Sequence, residues 1–104
     1  MFIQVDKDRT NTVLVDFGYD ISNDTITSQI RKNRNSASTL IAEWEVSFIT
    51  DGTDGKLKLV LDNSVTSSIF ETHGWMDFKR VTNSEPLSMI KQPIRVIFQD
   101  VVTE

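Results

Sequence analysis

The sequence predicts an all-β chain, a small antiparallel β-sandwich of about 6–8 strands with one short helical turn. Three observations predict it. The apolar residues recur every second position, as in Leu40, Ala42, Trp44, Val46 and Phe48 against Glu43, Glu45 and Ser47, and successive strand side chains point to opposite faces. Several such runs follow one another at intervals of roughly 8–15 residues with turn residues between them, the spacing of a sandwich or barrel. Only Asn63–Phe70 carries apolar residues at helical spacing. With 104 residues, about 65% of the extended-chain surface is expected to be buried, enough for one core and one domain spanning 1–104.

Phe2, Ile3 and Val5 read as a first edge strand. Thr12–Phe17 places Val13, Val15 and Phe17 on one face, and Gly18 ends it. Thr25–Arg31 groups Ile26, Ser28 and Ile30, with β-branched threonines suited to a pleated surface. Arg31–Thr39 is the longest polar stretch and reads as an exposed inter-strand loop. Leu40–Ile49 is the longest alternating run and is expected to be a single strand. It leads through Asp51-Gly52-Thr53-Asp54-Gly55 into Lys56–Leu61, where Asp-Gly pairs supply the positive φ of a hairpin. In that hairpin Lys56 and Lys58 are expected to face Glu43 and Glu45, each pair adding roughly 0.2–1 kcal/mol. Val65, Ile69 and Phe70 share a helical face, with Asn63 or Ser64 as the cap. Gly74–Arg80 and Pro93–Phe98 are the last strands, the latter with Ile94, Val96 and Phe98 inward. Pro86 and Pro93 fall at linker or strand-start positions.

Composition excludes several chemistries. There are no cysteines, hence no disulfide scaffold, thiolate zinc site or cysteine nucleophile. The formal charge of −4 disfavours nucleic acid as the main partner. No apolar run nears the roughly 20 residues that span a bilayer, so no membrane partner is expected. The start lacks a basic region ahead of a long apolar run and does not read as a signal peptide.

No catalytic constellation emerges either. His73 is the sole histidine, and Ser64, Ser67 and Ser68 near it lack a nucleophile elbow and suit caps and turns. The Asp51–Gly55 loop has Leu61 where a calcium loop needs its bidentate glutamate, and strand flanks where it needs helices. Arg31, Lys32 and Arg34 form the basic cluster, with no aromatic interleaved to stack a base. Glu43 and Glu45 fall on an outer strand face, in water, where raised carboxyl pKa values do not arise. No enzyme and no cofactor are expected.

Two tryptophans differ in their surroundings. Trp44 belongs with the core. Trp75 alternates with Met76, so only one points outward; Phe78 shares the Met76 face, which turns Trp75 out. Trp75 then either anchors a partner or stacks on a sugar, or else it closes the second sheet. The candidate partner-binding residues are Phe2, Ile3, Trp75 and Met76.

Several segments together resemble a known family. They are Asp24–Lys32 with its Gln29-Ile30-Arg31-Lys32 end and the Ser/Ala/Asn-rich loop after it, and Asp54–Leu59. The others are Trp75-Met76-Asp77-Phe78, Arg95-Val96-Ile97 and Val101-Val102-Thr103. Across roughly residues 10 to 103 this layout is similar to small virion proteins of T4-like cyanophages, and to the N-terminal module of the baseplate upper protein of some Gram-positive phages. The chain departs from them at Gly74-Trp75, where a Pro-Gly turn and a tyrosine are common, and in its charged Asp6–Arg9 stretch. The resemblance implies a non-enzymatic structural protein of the tail, baseplate, neck or fibre attachment. It further implies virion localisation after assembly in the host cytoplasm, other virion proteins as partners, and multiple copies around an axis. The alternatives are a carbohydrate-binding sandwich with a glycan on Trp75, and a capsid decoration protein.

Overall fold

Among the described residues, period-two hydrophobicity is realised as nine strands in two sheets. The computed structural model describes residues 2–35, 37–82, 85–88 and 92–100. In chain order the elements are β1 Phe2–Asp6, β2 Asn11–Asp16, β3 Thr25–Arg31, β4 Leu40–Glu43, β5 Glu45–Phe48 and β6 Lys56–Leu61. There follow α1 Asn63–Thr66, β7 His73–Thr82, β8 Glu85–Ser88 and β9 Ile94–Gln99. The larger sheet runs β1-β9-β7-β3-β4, with β8 also paired to β7; the smaller runs β2-β6-β5. The Val101-Val102-Thr103 tail lies outside the described residues.

The core lies between the sheets. Val5, Ile26, Ile30, Met76, Phe78, Val96 and Phe98 come from the larger sheet, and Leu57, Leu59 and Leu61 from the smaller, all buried. Phe17 meets Phe78 edge-on, ring centroids 5.1 Å apart, a favoured aromatic geometry. Fully burying one such Leu or Ile contributes about 1.5–3 kcal/mol.

Six features depart from expectation. Residues 40–49 are not one strand: β4 belongs to the larger sheet, β5 to the smaller, and the chain changes sheets at Trp44. Alternation survives because an inward side chain stays inward when a strand bends across a sandwich corner. A bulge between Ile30 and Arg31 shifts the β3–β4 register. Leu40 is consequently 45% exposed, while Ile41 packs on the core. The lysines do not face Glu43 and Glu45. Lys58 stands between Ser47 and Leu14, Lys56 opposite Asp16, and Glu43 opposite Gln29 in the other sheet. The larger sheet is mixed, because β1 pairs β9 in parallel; side-chain alternation is blind to strand direction. Finally, α1 is a single turn capped by Asp62, not by Asn63 or Ser64, and Phe70 leaves its face to stand 82% exposed. β8 was not anticipated, and its Pro86 stands opposite Val81.

One bond pattern recurs in the loops. Asp20, Asp51 and Asp62 each accept from the backbone N–H and the hydroxyl of a Ser or Thr two residues on: Ser22, Thr53 and Ser64. These bonds hold all three carboxyls below the usual aspartate range, the hydroxyl being the larger cause and the N–H the second. The Asp51 turn belongs to the hairpin loop, where Gly52 and Gly55 take φ of +87° and +77°.

Candidate partner-binding face

The register of the larger sheet divides the four candidate residues by face. Met76 is 1% exposed and lies in the core, so it does not serve as a surface anchor. Ile3 stands opposite Val96 and packs on the same core from the sheet's edge. The reason is the strict two-residue period: neighbours in a strand never share a face. Phe2 and Trp75 remain, and they lie on the same outer face.

They also lie in one row. Phe2 pairs Arg95, Arg95 pairs Trp75, Trp75 pairs Arg31, and Arg31 pairs Leu40. At about 4.8 Å per strand, the Phe2 and Trp75 backbones are roughly 10 Å apart with Arg95 between them. Phe2 is 59% exposed, on the terminal strand of the sheet. Trp75 is half-buried, and the Arg34 guanidinium lies over its ring, 4.7 Å from the centroid. Gly74 supports this arrangement from inside: an added Cβ would meet Ile30 Cγ2 at 2.9 Å and Ile41 Cδ1 at 3.0 Å. That close packing of β7 on β3 and β4 fixes which way Trp75 points.

Three arginines therefore gather around one tryptophan. Arg31 is tied down, donating to the Ser38 carbonyl at 2.7 Å and to Gln29 Oε1 at 2.8 Å. Gln29 in turn donates to Glu43 Oε2 at 2.9 Å. Arg95 is exposed. Adjacent rows place His73 and Ile97 on one side, Asp77, Gln29 and Glu43 on the other. The face thus presents an apolar strip with a cationic middle and a carboxylate margin. Aromatic residues and Arg are the side chains enriched at protein interfaces.

His73 and the three serines each bond within their own segment. His73 Nδ1 lies 3.3 Å from the Thr72 hydroxyl, and the three serines are occupied within their own turn. Ser64 bonds Asp62, Ser67 the Ser64 carbonyl, and Ser68 the Val65 carbonyl. In the hairpin loop Asp51 bonds Thr53, and Asp54 bonds Thr50 and the Lys56 N–H. No cluster of three or more His, Cys, Asp or Glu with metal-binding geometry occurs among the described residues.

Sequence reasoning missed three surface features. Arg34 over Trp75 joins residues 41 positions apart, so the aromatic absent from the basic cluster's own sequence arrives across the sheet. Phe70 and Leu14, 82% and 67% exposed, had readable signals. Leu14 opposes Val13 and Val15 in the alternation, and Phe70 directly follows an inward Ile69. Compared with known proteins, the chain matches no family model and no curated protein.

Proposed function

We propose that this chain is a non-enzymatic structural protein of a phage particle, acting through protein–protein contacts of its larger sheet. The observation that carries the contact reading is the row Phe2-Arg95-Trp75-Arg31-Leu40 on one outer face, ending at an exposed phenylalanine on a terminal strand. The location in a tail, baseplate, neck or fibre attachment rests on the resemblance of the strand motifs to small virion proteins. In this reading Phe2 and Trp75 anchor a neighbouring subunit, and the outer edge of β1 accepts a strand from it. Copies repeat around a symmetry axis.

Arg34 favours a protein partner over a sugar. A glycan stacking on Trp75 has to displace a guanidinium held there by a cation–π contact of about 0.5–1 kcal/mol. A protein partner can instead pack around the Arg34–Trp75 stack.

The test is incorporation. Particles of the encoding phage are purified and the chain counted by quantitative mass spectrometry, with the Phe2→Ala/Trp75→Ala double variant alongside. A copy number that is a small multiple of three or six, reduced at least tenfold in the variant, is the expected result. Hundreds of copies indicate capsid decoration instead. Absence from particles, or unchanged incorporation of a folded variant, overturns the reading. Glycan-array binding abolished by Trp75→Ala establishes the carbohydrate alternative.

A further inference from the structure

A β-ladder comes apart where the chain changes sheets. Extending the β3–β4 register beyond Gln29↔Glu43 sets Trp44 opposite Ser28, Glu45 opposite Thr27 and Val46 opposite Ile26. The Trp44 N–H still donates to the Ser28 carbonyl at 2.9 Å. Beyond that bond β5 follows β6 into the smaller sheet, and no ladder joins β3 to β5 among the described residues.

The main-chain groups at the break face each other. Along a strand, successive residues direct their N–H and C=O to alternate sides. Since Ser28 directs its carbonyl to Trp44, Ile26 directs both its groups to the same side, away from β7. The Ile49 N–H donates to the Lys56 carbonyl at 3.3 Å, so Glu45, Ser47 and Ile49 face β6, and Val46 faces away from it toward β3. Ile26 and Val46 are thus left without a strand partner on the sides that confront each other.

Between them lies an open groove lined by Ile26, Thr27, Glu43, Trp44, Glu45 and Val46. Trp44 is 3% exposed, and its indole N–H has no hydrogen-bond acceptor among the described residues. A buried donor left unpaired costs about 1–3 kcal/mol. Glu43 and Glu45 are exposed beside the groove, and neither carboxylate forms an ion pair among the described residues.

We propose that this slot receives an extended basic segment of another protein, added as a strand between β3 and β5. The guest exchanges main-chain bonds with Ile26 and Val46, and its Lys or Arg side chains meet Glu43 and Glu45. Strand addition of this kind takes affinity from the main chain and specificity from alternate side chains. Charge selects the occupant. The segment Val101-Val102-Thr103-Glu104 carries a carboxylate and no cation, so the same segment of a second copy is repelled. The slot borders the outer face of Phe2 and Trp75 and shares Glu43 with it, but its main-chain contacts to Ile26 and Val46 do not depend on that face.

The experiment uses the purified full chain and a capped five-residue peptide alternating lysine and valine, followed by NMR and amide exchange. The expected result is binding that shifts the Ile26 and Val46 amides and slows their exchange at least tenfold. A glutamate–valine peptide, and a lysine–valine peptide N-methylated at its central residues, each bind at least tenfold more weakly. Glu45→Lys, an exposed substitution, weakens the lysine–valine peptide to the same degree. No binding at millimolar peptide overturns the proposal. So does equal affinity for the acidic and basic peptides, or binding that leaves Ile26 and Val46 unprotected. Particle incorporation does not enter this assay, so the two proposals fail separately.

Discussion

Gly18 and Gly55 provide a matched pair for separating backbone strain from steric exclusion. Their φ values are +75° and +77°, so alanine meets the same left-handed penalty at both, about 1–2 kcal/mol. Alanine also lowers the entropy of the unfolded chain, which returns about 0.4–1 kcal/mol. Gly18→Ala, with nothing within 4 Å of the added Cβ, is therefore expected to destabilise by about 1 kcal/mol. At Gly55 the Cβ would sit 2.5 Å from the Tyr19 carbonyl oxygen, 2.8 Å from the Tyr19 nitrogen and 2.9 Å from the Gly18 nitrogen. All three are backbone atoms, so no side-chain rotation relieves the contact. Phe17 also donates its N–H to the Gly55 carbonyl at 2.9 Å, and moving the loop strains that bond. Overpacking of this type adds about 1–3 kcal/mol. Gly55→Ala should then lie below Gly18→Ala by that amount, roughly 4–8 °C in Tm for each kcal/mol in a domain near this size. Urea unfolding followed by far-UV circular dichroism provides the free energies. Equal losses at the two glycines would refute the close approach of the hairpin loop to the Phe17–Tyr19 segment.

Other consequences follow from the loops and the outer face. Arg34→Ala should uncover the Trp75 ring and raise its acrylamide quenching, with stability changed by no more than about 1 kcal/mol. Trp44 is 3% exposed and so is little reached by acrylamide; unchanged quenching would remove Arg34 from the ring. Asp20, Asp51 and Asp62 have folded-state pKa values below their unfolded ones. Their contribution is thus complete above the ordinary aspartate pKa of about 3.9 and is lost as pH falls below it through the lowered values. The triple variant Asp20→Asn/Asp51→Asn/Asp62→Asn should flatten the fall of Tm below about pH 4. Parallel Tm–pH curves for the two proteins would contradict the hydroxyl-bonded turns.

How much was legible depended on the range of the forces involved. Alternation in Thr25–Arg31 and Ile94–Phe98 announced which residues face the core, because pleat geometry is local and each strand carries its own record of burial. Asp-Gly in the hairpin loop announced positive φ for the same reason. The split at Trp44 was not legible: inward residues stay inward on both sides of a sheet change, so the Leu40–Ile49 pattern is identical for one strand or two. The bulge that turns Leu40 out and Ile41 in depends on β3, far away in sequence.

The candidate surface divides along the same line. From the sequence alone come the all-β class, the outward side of Trp75 and the edge position of β1, all consequences of a two-residue period and chain order. Only the tertiary structure set Phe2, Arg95, Trp75 and Arg31 in one row, laid Arg34 over the tryptophan and consigned Met76 to the core. It alone turned Ile26 and Val46 toward each other across the slot. Strand order, direction and register are settled by which partners bury the most apolar surface together. That competition among distant segments is not written in any one of them.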